Sequence, residues 1–245
     1  MRGAIGVYEV IALCCTLVFC SLSTGAADDW PEWRGKHRRG IWMETGILDA
    51  FPKEGLDVSW RTPIGSGYAG PSVSRGRVFV TDFIADRNNK GTERILCLDE
   101  NTGEVIWTYS WDVDYTGLQL VYAIGPRATP TVEGEQVFVL GAMGNLKVLE
   151  VETGDLLWEK EFVRDFGASV PVWGISSAPI VEGSLVITFA AGEPDAKVMA
   201  FDRETGDEVW RALSSDWEPG YSQPIIFDYA GKRQLIVWHP RAITS

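Results

Sequence analysis

One stretch of sequence is written three times in this chain: CLDENTGEVIW at 97–107, VLEVETGDLLW at 148–158 and AFDRETGDEVW at 200–210. Each copy carries an acid (Asp99, Glu150, Asp202), then a Thr-Gly pair ending in Gly103, Gly154 or Gly206, then a tryptophan (Trp107, Trp158, Trp210). The tryptophans fall 51 and 52 residues apart. A fixed period of that length means a stack of like supersecondary units rather than one irregular domain.

The contents of the period say which unit. Each holds a proline-led short apolar run, a glycine turn, a β-branched run, a loop, and two further runs joined by the acid-x-x-Thr-Gly turn. Four antiparallel strands in sequence are one blade of a β-propeller, so the fold class is all-β. In the turn the acid can accept backbone N–H groups, and glycine supplies a positive φ. The tryptophan has a flat surface to bury against the neighbouring blade, an indole N–H that needs an acceptor, and a small residue opposite to make room.

The full pattern A-x-D-x-x-T-G-x-x-x-W, met by Ala200, Asp202, Thr205, Gly206 and Trp210, resembles the tryptophan-docking repeat of the pyrroloquinoline quinone (PQQ) type propellers. Cys97 and Val148 replace the alanine in the other copies, and Glu150 replaces the aspartate. The resemblance implies a superfamily that holds both quinoprotein alcohol dehydrogenases and the non-enzymatic lipoprotein of the outer-membrane β-barrel assembly machinery. A structural repeat does not by itself choose between them.

Blades are expected at 71–109, 130–162 and 179–213, with an incomplete fourth at 224–245 and an orphan closing strand at 57–60. At about fifty residues per blade this is about three and a half blades of the roughly seven- or eight-bladed ring that the resemblance implies. A further signature and further blades are expected beyond Ser245.

Residues 1–27 have Arg2 near the start, an apolar run over 10–22 and small residues through Ala27, although Glu9 departs from the pattern. They are expected to be a signal peptide, placing the protein in the periplasm or outside the cell. Cys14, Cys15 and Cys20 lie inside it, which leaves Cys97 in the mature chain and no intrachain disulfide. A lipid anchor on Cys20 ranks second to plain export, because bulky Phe19 precedes it. The net charge of -12 argues against nucleic acid or an anionic membrane as the main partner. No apolar stretch after the leader is long enough to span a bilayer. Peripheral association with a membrane assembly is compatible with the resemblance.

Residues 28–56 are expected to form an arm across the propeller, anchored by Trp30, Trp33 and Trp42, with Lys36, His37, Arg38 and Arg39 as a solvated loop. Asp82, Asp86 and Asp114 are likewise expected to be solvated loop acids.

Function is expected on the face that bears the long connections 108–129 and 159–178. Just ahead of each innermost strand stand Tyr68, Arg127, Trp173 and Tyr221. Around a channel mouth they form an aromatic ring with one cation, suited to an anionic or planar ligand, or else they plug the channel and bond to neighbouring blades.

No nucleophile elbow, Cys/His metal spacing or phosphate loop is present, and His37 and His239 lie in unrelated contexts. The preferred expectation is an exported, non-catalytic scaffold that binds a protein, peptide or glycan and needs no cofactor. The alternative is a PQQ-dependent alcohol or sugar dehydrogenase. For that the resemblance implies a quinone on the axis, calcium held by carboxylate and amide oxygens, an aspartate base, a tryptophan floor and adjacent cysteines. The mature chain lacks such a cysteine pair, and no glutamate, asparagine and aspartate set matches residue by residue.

Overall fold

Alternation decides how these strands are used. In the run NLKVLE, Leu146 and Val148 face one way and Leu149 the other, and all three are fully buried because a sheet lies on each side. The computed structural model describes residues 28–245 except 87, 123 and 215; the expected signal peptide and Cys20 lie outside the described residues.

Three four-stranded antiparallel sheets and one three-stranded sheet follow each other along the chain, each with its strands in sequential order. The first blade is β1 (Ser72–Ser74), β2 (Arg77–Ala85), β3 (Lys90–Asp99) and β4 (Val105–Asp114). The second is β5 (Thr131–Glu133), β6 (Gln136–Leu140), β7 (Asn145–Glu150) and β8 (Leu156–Glu161). The third is β9 (Ile180–Glu182), β10 (Leu185–Phe189), β11 (Val198–Asp202) and β12 (Glu208–Ala212). The fourth is β13 (Ile225–Tyr229), β14 (Lys232–His239) and β15 (Ala242–Thr244). The innermost strands β1, β5 and β9 stand side by side. The core lies between blades: Phe79, Ile95 and Cys97 meet Val137 and Leu149, while Phe138, Leu146 and Val148 meet Val186, Met199 and Phe201.

The repeat is a docking device. Asp99 accepts the N–H groups of Asn101 and Thr102 at 2.9 Å, and Asp202 accepts those of Glu204 and Thr205 at 2.9 Å, which holds both carboxyls below the usual carboxylate range. Glu150 reaches the N–H of Thr153 at 2.7 Å. Trp107 and Trp158 then dock on the following blade, each donating to the carbonyl just past that blade's acid: Trp107 to Val151 at 2.9 Å and Trp158 to Arg203 at 2.8 Å. Their rings cover the glycines there, Gly154 and Gly206 respectively. Cys97, Val148 and Ala200 are the cross-strand partners of Trp107, Trp158 and Trp210, so the room for the ring comes from the next blade's glycine and not from them alone.

Residues 57–60 have no ladder partner among the described residues, and Trp60 docks on the first blade as its counterparts do on theirs, donating to the Glu100 carbonyl at 2.8 Å over Gly103. Two expected bounds are corrected. The first blade runs on to Asp114, five residues beyond the expected Tyr109, because the long β2–β3 hairpin gives β4 a partner along its whole length. The second blade's last strand takes in residues 159–161, and the connection after it begins with a short helix, α1 (Phe162–Phe166), anchored by buried Phe162.

The arm follows the innermost strands. Trp30 exchanges both backbone hydrogen bonds with Val73, at 2.8 and 2.9 Å, and Pro31 accepts from Val132 at 2.8 Å. Trp42 stays exposed but its ring meets that of Trp30 at 5.4 Å, and Trp33 lies under the Arg34 guanidinium. Arg38 is not solvated: it is buried, pairs with Glu32 at 2.9 Å and reaches the carbonyls of Ala178, Pro179 and Pro224. Those carbonyls precede the third and fourth innermost strands, and a guanidinium fork satisfies them together. Burial lowers the Arg38 pKa and raises that of Glu32, each opposed by the other's charge.

Candidate ligand recess on the long-loop face

Tyr68, Arg127, Trp173 and Tyr221 converge on one recess of about 370 Å³, which Tyr122 and Ser176 also line. Arg127 is placed by its own loop. The preceding Pro126 carbonyl accepts the N–H groups of Tyr68 and Ala69 at 2.9 and 3.2 Å, and the guanidinium carbon lies 4.8 Å from the centre of the Tyr68 ring. Gly125, at φ 126°, leaves no room for a side chain against the backbone of Gly67.

Trp173 is held from three sides. Its N–H donates to the Tyr221 hydroxyl at 3.2 Å, its ring stacks on Tyr122 with centroids 5.6 Å apart, and Gly174 behind it turns on the Pro171 carbonyl at 2.7 Å. The Tyr221 hydroxyl in turn donates to Glu218 at 3.3 Å, and burial raises its pKa, so it remains a donor. Tyr221 bonds to a neighbouring loop, yet Tyr68 and Tyr221 remain 43% and 40% exposed.

Two polar atoms in this wall, Arg127 Nε and Ser176 Oγ, are buried without a hydrogen-bond partner. Of the residues that line the recess Arg127 is the charged one, and the Glu218 carboxylate stands beside it on the Tyr221 hydroxyl.

The loops rest on two buried acids. Asp82, expected as a solvated loop acid, lies in β2 fully buried: it accepts Arg94 Nε and Nη2 at 2.8 and 2.5 Å and the Gly65 N–H at 2.5 Å, tying down the loop that carries Tyr68. The hairpin extends past Asp82 with Arg94 directly across the ladder, so the pair forms inside the sheet. Asp86 and Asp114 are exposed as expected, Asp114 pairing with Lys90 at 3.0 Å. Glu93, also fully buried, accepts from Trp111 Nε1 at 2.9 Å, the Ala142 N–H at 2.9 Å and the Tyr115 hydroxyl. Burial pushes its pKa up, opposed by those three donors. Tyr115 opens the loop leading to Tyr122 and Arg127, and the Ala142 carbonyl accepts the Ile175 N–H at 2.8 Å beside Trp173. Glu93 thus joins both recess loops.

Sequence reasoning missed Tyr122, Ser176 and Glu93. Tyr122 and Ser176 break the positional symmetry that singled out the other four residues, and an acid inside a strand gave no sign of being buried.

The donor set does not fit a calcium-held quinone. The recess offers aromatic faces, one guanidinium and a serine hydroxyl, and among the described residues no group of three or more His, Cys, Asp or Glu side chains is placed to hold a metal ion.

Comparison with known proteins places the chain between two kinds of relative. It is 29% identical over 229 residues to the quinohemoprotein alcohol dehydrogenase of Comamonas testosteroni, covering 91% of this chain and 30% of that protein. It is 24% identical over 162 residues to outer membrane protein assembly factor BamB of Shewanella oneidensis, covering 63% of this chain and 36% of that protein. The crystal structure of the Comamonas testosteroni enzyme superposes with a TM-score of 0.60 at 26% identity, over 78% of this chain and 28% of that one. The chain spans about a third of the length of these curated relatives. The family model described as outer membrane protein assembly factor BamB matches residues 50–193, more than half of the chain, so the chain belongs to that family of PQQ-like β-propellers.

Proposed function

We propose that this protein is an exported binding scaffold that captures a protein, peptide or glycan in the recess on its long-loop face, without turning it over. The observation that carries the reading is the convergence of four aromatic side chains, Tyr68, Tyr122, Trp173 and Tyr221, with the Arg127 guanidinium on one open recess. Aromatic faces beside a fixed cation suit a ligand that lays an apolar or planar face on them and brings an acceptor. The leader supports export, and the family's description supports a partner at a membrane assembly. No helix among the described residues is long and apolar enough to cross a membrane.

The test is to probe glycan and peptide arrays with the full-length protein and with its Trp173→Ala and Arg127→Gln variants. Binders lost in both variants support the scaffold. Binders retained equally by both would remove the recess from the function.

A second reading, a quinone-dependent dehydrogenase, is favoured by the likeness to the alcohol dehydrogenase over 91% of this chain. It requires donors beyond those described here. Dye reduction by the full-length protein with PQQ, calcium and alcohols, against a quinone-free control, decides it.

A further inference from the structure

We propose that the recess recognises an acidic sugar ring of a glycan: the ring face lies on the Tyr122–Trp173 pair and the carboxylate meets Arg127. This rests on the scaffold reading and names its ligand class.

The walls are the first reason. Tyr122 and Trp173 are stacked within 23° of parallel, and Tyr122 is 81% exposed, so the stack presents aromatic surface to solvent at the recess edge. A saturated sugar ring offers a flat array of C–H groups that an aromatic face covers, while its hydroxyls remain in water. An open platform suits one unit of a longer chain passing across the mouth.

The donors are the second. Arg127 lines the recess, and its guanidinium plane is set against Tyr68. A guanidinium held in this way presents an edge, and a carboxylate is the acceptor that its fork fits best. A neutral sugar supplies only weaker hydroxyl acceptors, so the anionic group should set the affinity.

The rim's backbone is the third, and it argues against a peptide bound as an added strand. That mode works through main-chain hydrogen bonds at an open sheet edge. Here the rim groups are already used: the N–H groups of Tyr68 and Ala69 go to Pro126, that of Trp173 to Tyr221 and that of Gly174 to Pro171. The Val172 carbonyl accepts from Gln119, and that of Ser176 accepts from Gln223 at 2.7 Å. Beside these groups the recess offers a ligand side-chain chemistry, namely ring faces and the Arg127 guanidinium.

The test titrates the full-length protein with trigalacturonate, its neutral counterpart galactotriose, triglutamate and PQQ, following tryptophan fluorescence and heat. Trigalacturonate should bind at least about tenfold more tightly than the neutral trimer. The preference should vanish in Arg127→Gln and weaken in Arg127→Lys, which keeps the charge but not the fork. It should persist in Arg75→Gln, on the opposite face. Thermal midpoints of the variants check that each is folded. Equal binding of the acidic and neutral sugars would overturn the proposal. Triglutamate or PQQ binding more tightly, and in a Trp173-dependent way, would overturn the glycan class while leaving the recess as a ligand site. No Trp173-dependent binding of any of the four would overturn both.

Discussion

The indole of Trp107 lies against Gly154 of the following blade so closely that a Cβ on the glycine would fall 2.6 Å from the ring. Trp158 and Gly206 repeat the contact at 2.7 Å. Glycine is required there twice over, by its positive φ of 76° and 74° and by the ring above it.

These two requirements separate experimentally. Gly154→Ala and Gly206→Ala should each destabilise the protein by about 2–4 kcal/mol, combining a strained φ with overpacking against the indole. Gly76→Ala, at φ 73° with open space around it, should cost only about 1 kcal/mol. Denaturant midpoints check this, and equal costs at the three positions would show that the ring contact contributes nothing.

The indole hydrogen bond is the other half of the dock. Trp158→Phe keeps most of the apolar surface but leaves the Arg203 carbonyl without its donor, and should cost about 1–3 kcal/mol by the same measurement. Recess binding should be unchanged, because the docks and the recess belong to opposite faces.

Arg38→Met should reveal the arm as part of the fold. It strands Glu32, which burial already disfavours in its charged form, and frees three carbonyls at the heads of the inner strands. A loss of about 3 kcal/mol or more is expected from equilibrium unfolding. A neutral result would return Arg38 to the surface.

Glu93 predicts a pH dependence with a definite sign. Its folded pKa is raised above the ordinary 4.5, so between the unfolded and folded values it is protonated when folded and ionised when unfolded. Unfolding then releases a proton, and stability falls as pH rises through that window. Glu93→Gln removes this slope and also points an amide N–H₂ toward an existing donor, at about 1–3 kcal/mol. Subtracting the variant's pH profile of unfolding free energy from that of the wild type should leave a difference that shrinks as pH rises from about 4.5. A difference that grows with pH would reverse the assignment.

Cys97 is fully buried between the first two blades, and burial pushes its thiol up to about 12. Alkylation followed on the Cys97 peptide by mass spectrometry should be very slow in native protein and rapid in denaturant. Prompt native labelling would mean that the two blades part readily.

Much of this was legible because a repeat reports its own geometry. Three signatures in phase determined the four-stranded unit, the acid-capped turn and the outer tryptophan, since turn chemistry and strand alternation are local properties of neighbouring residues. The same symmetry pointed to Tyr68, Arg127, Trp173 and Tyr221, which occupy like positions ahead of successive inner strands.

What the tertiary structure decided lies between units. That Trp107 docks on Gly154 of the next blade, that Asp82 and Glu93 are buried anchors, that Arg38 bridges two inner strands and that Tyr122 joins the recess all depend on surfaces brought together from as far as 17 to 186 residues apart along the chain. A charged side chain reads as solvated when seen alone, because water is the cheapest partner it can have. Only the assembled fold shows where another blade has already taken water's place.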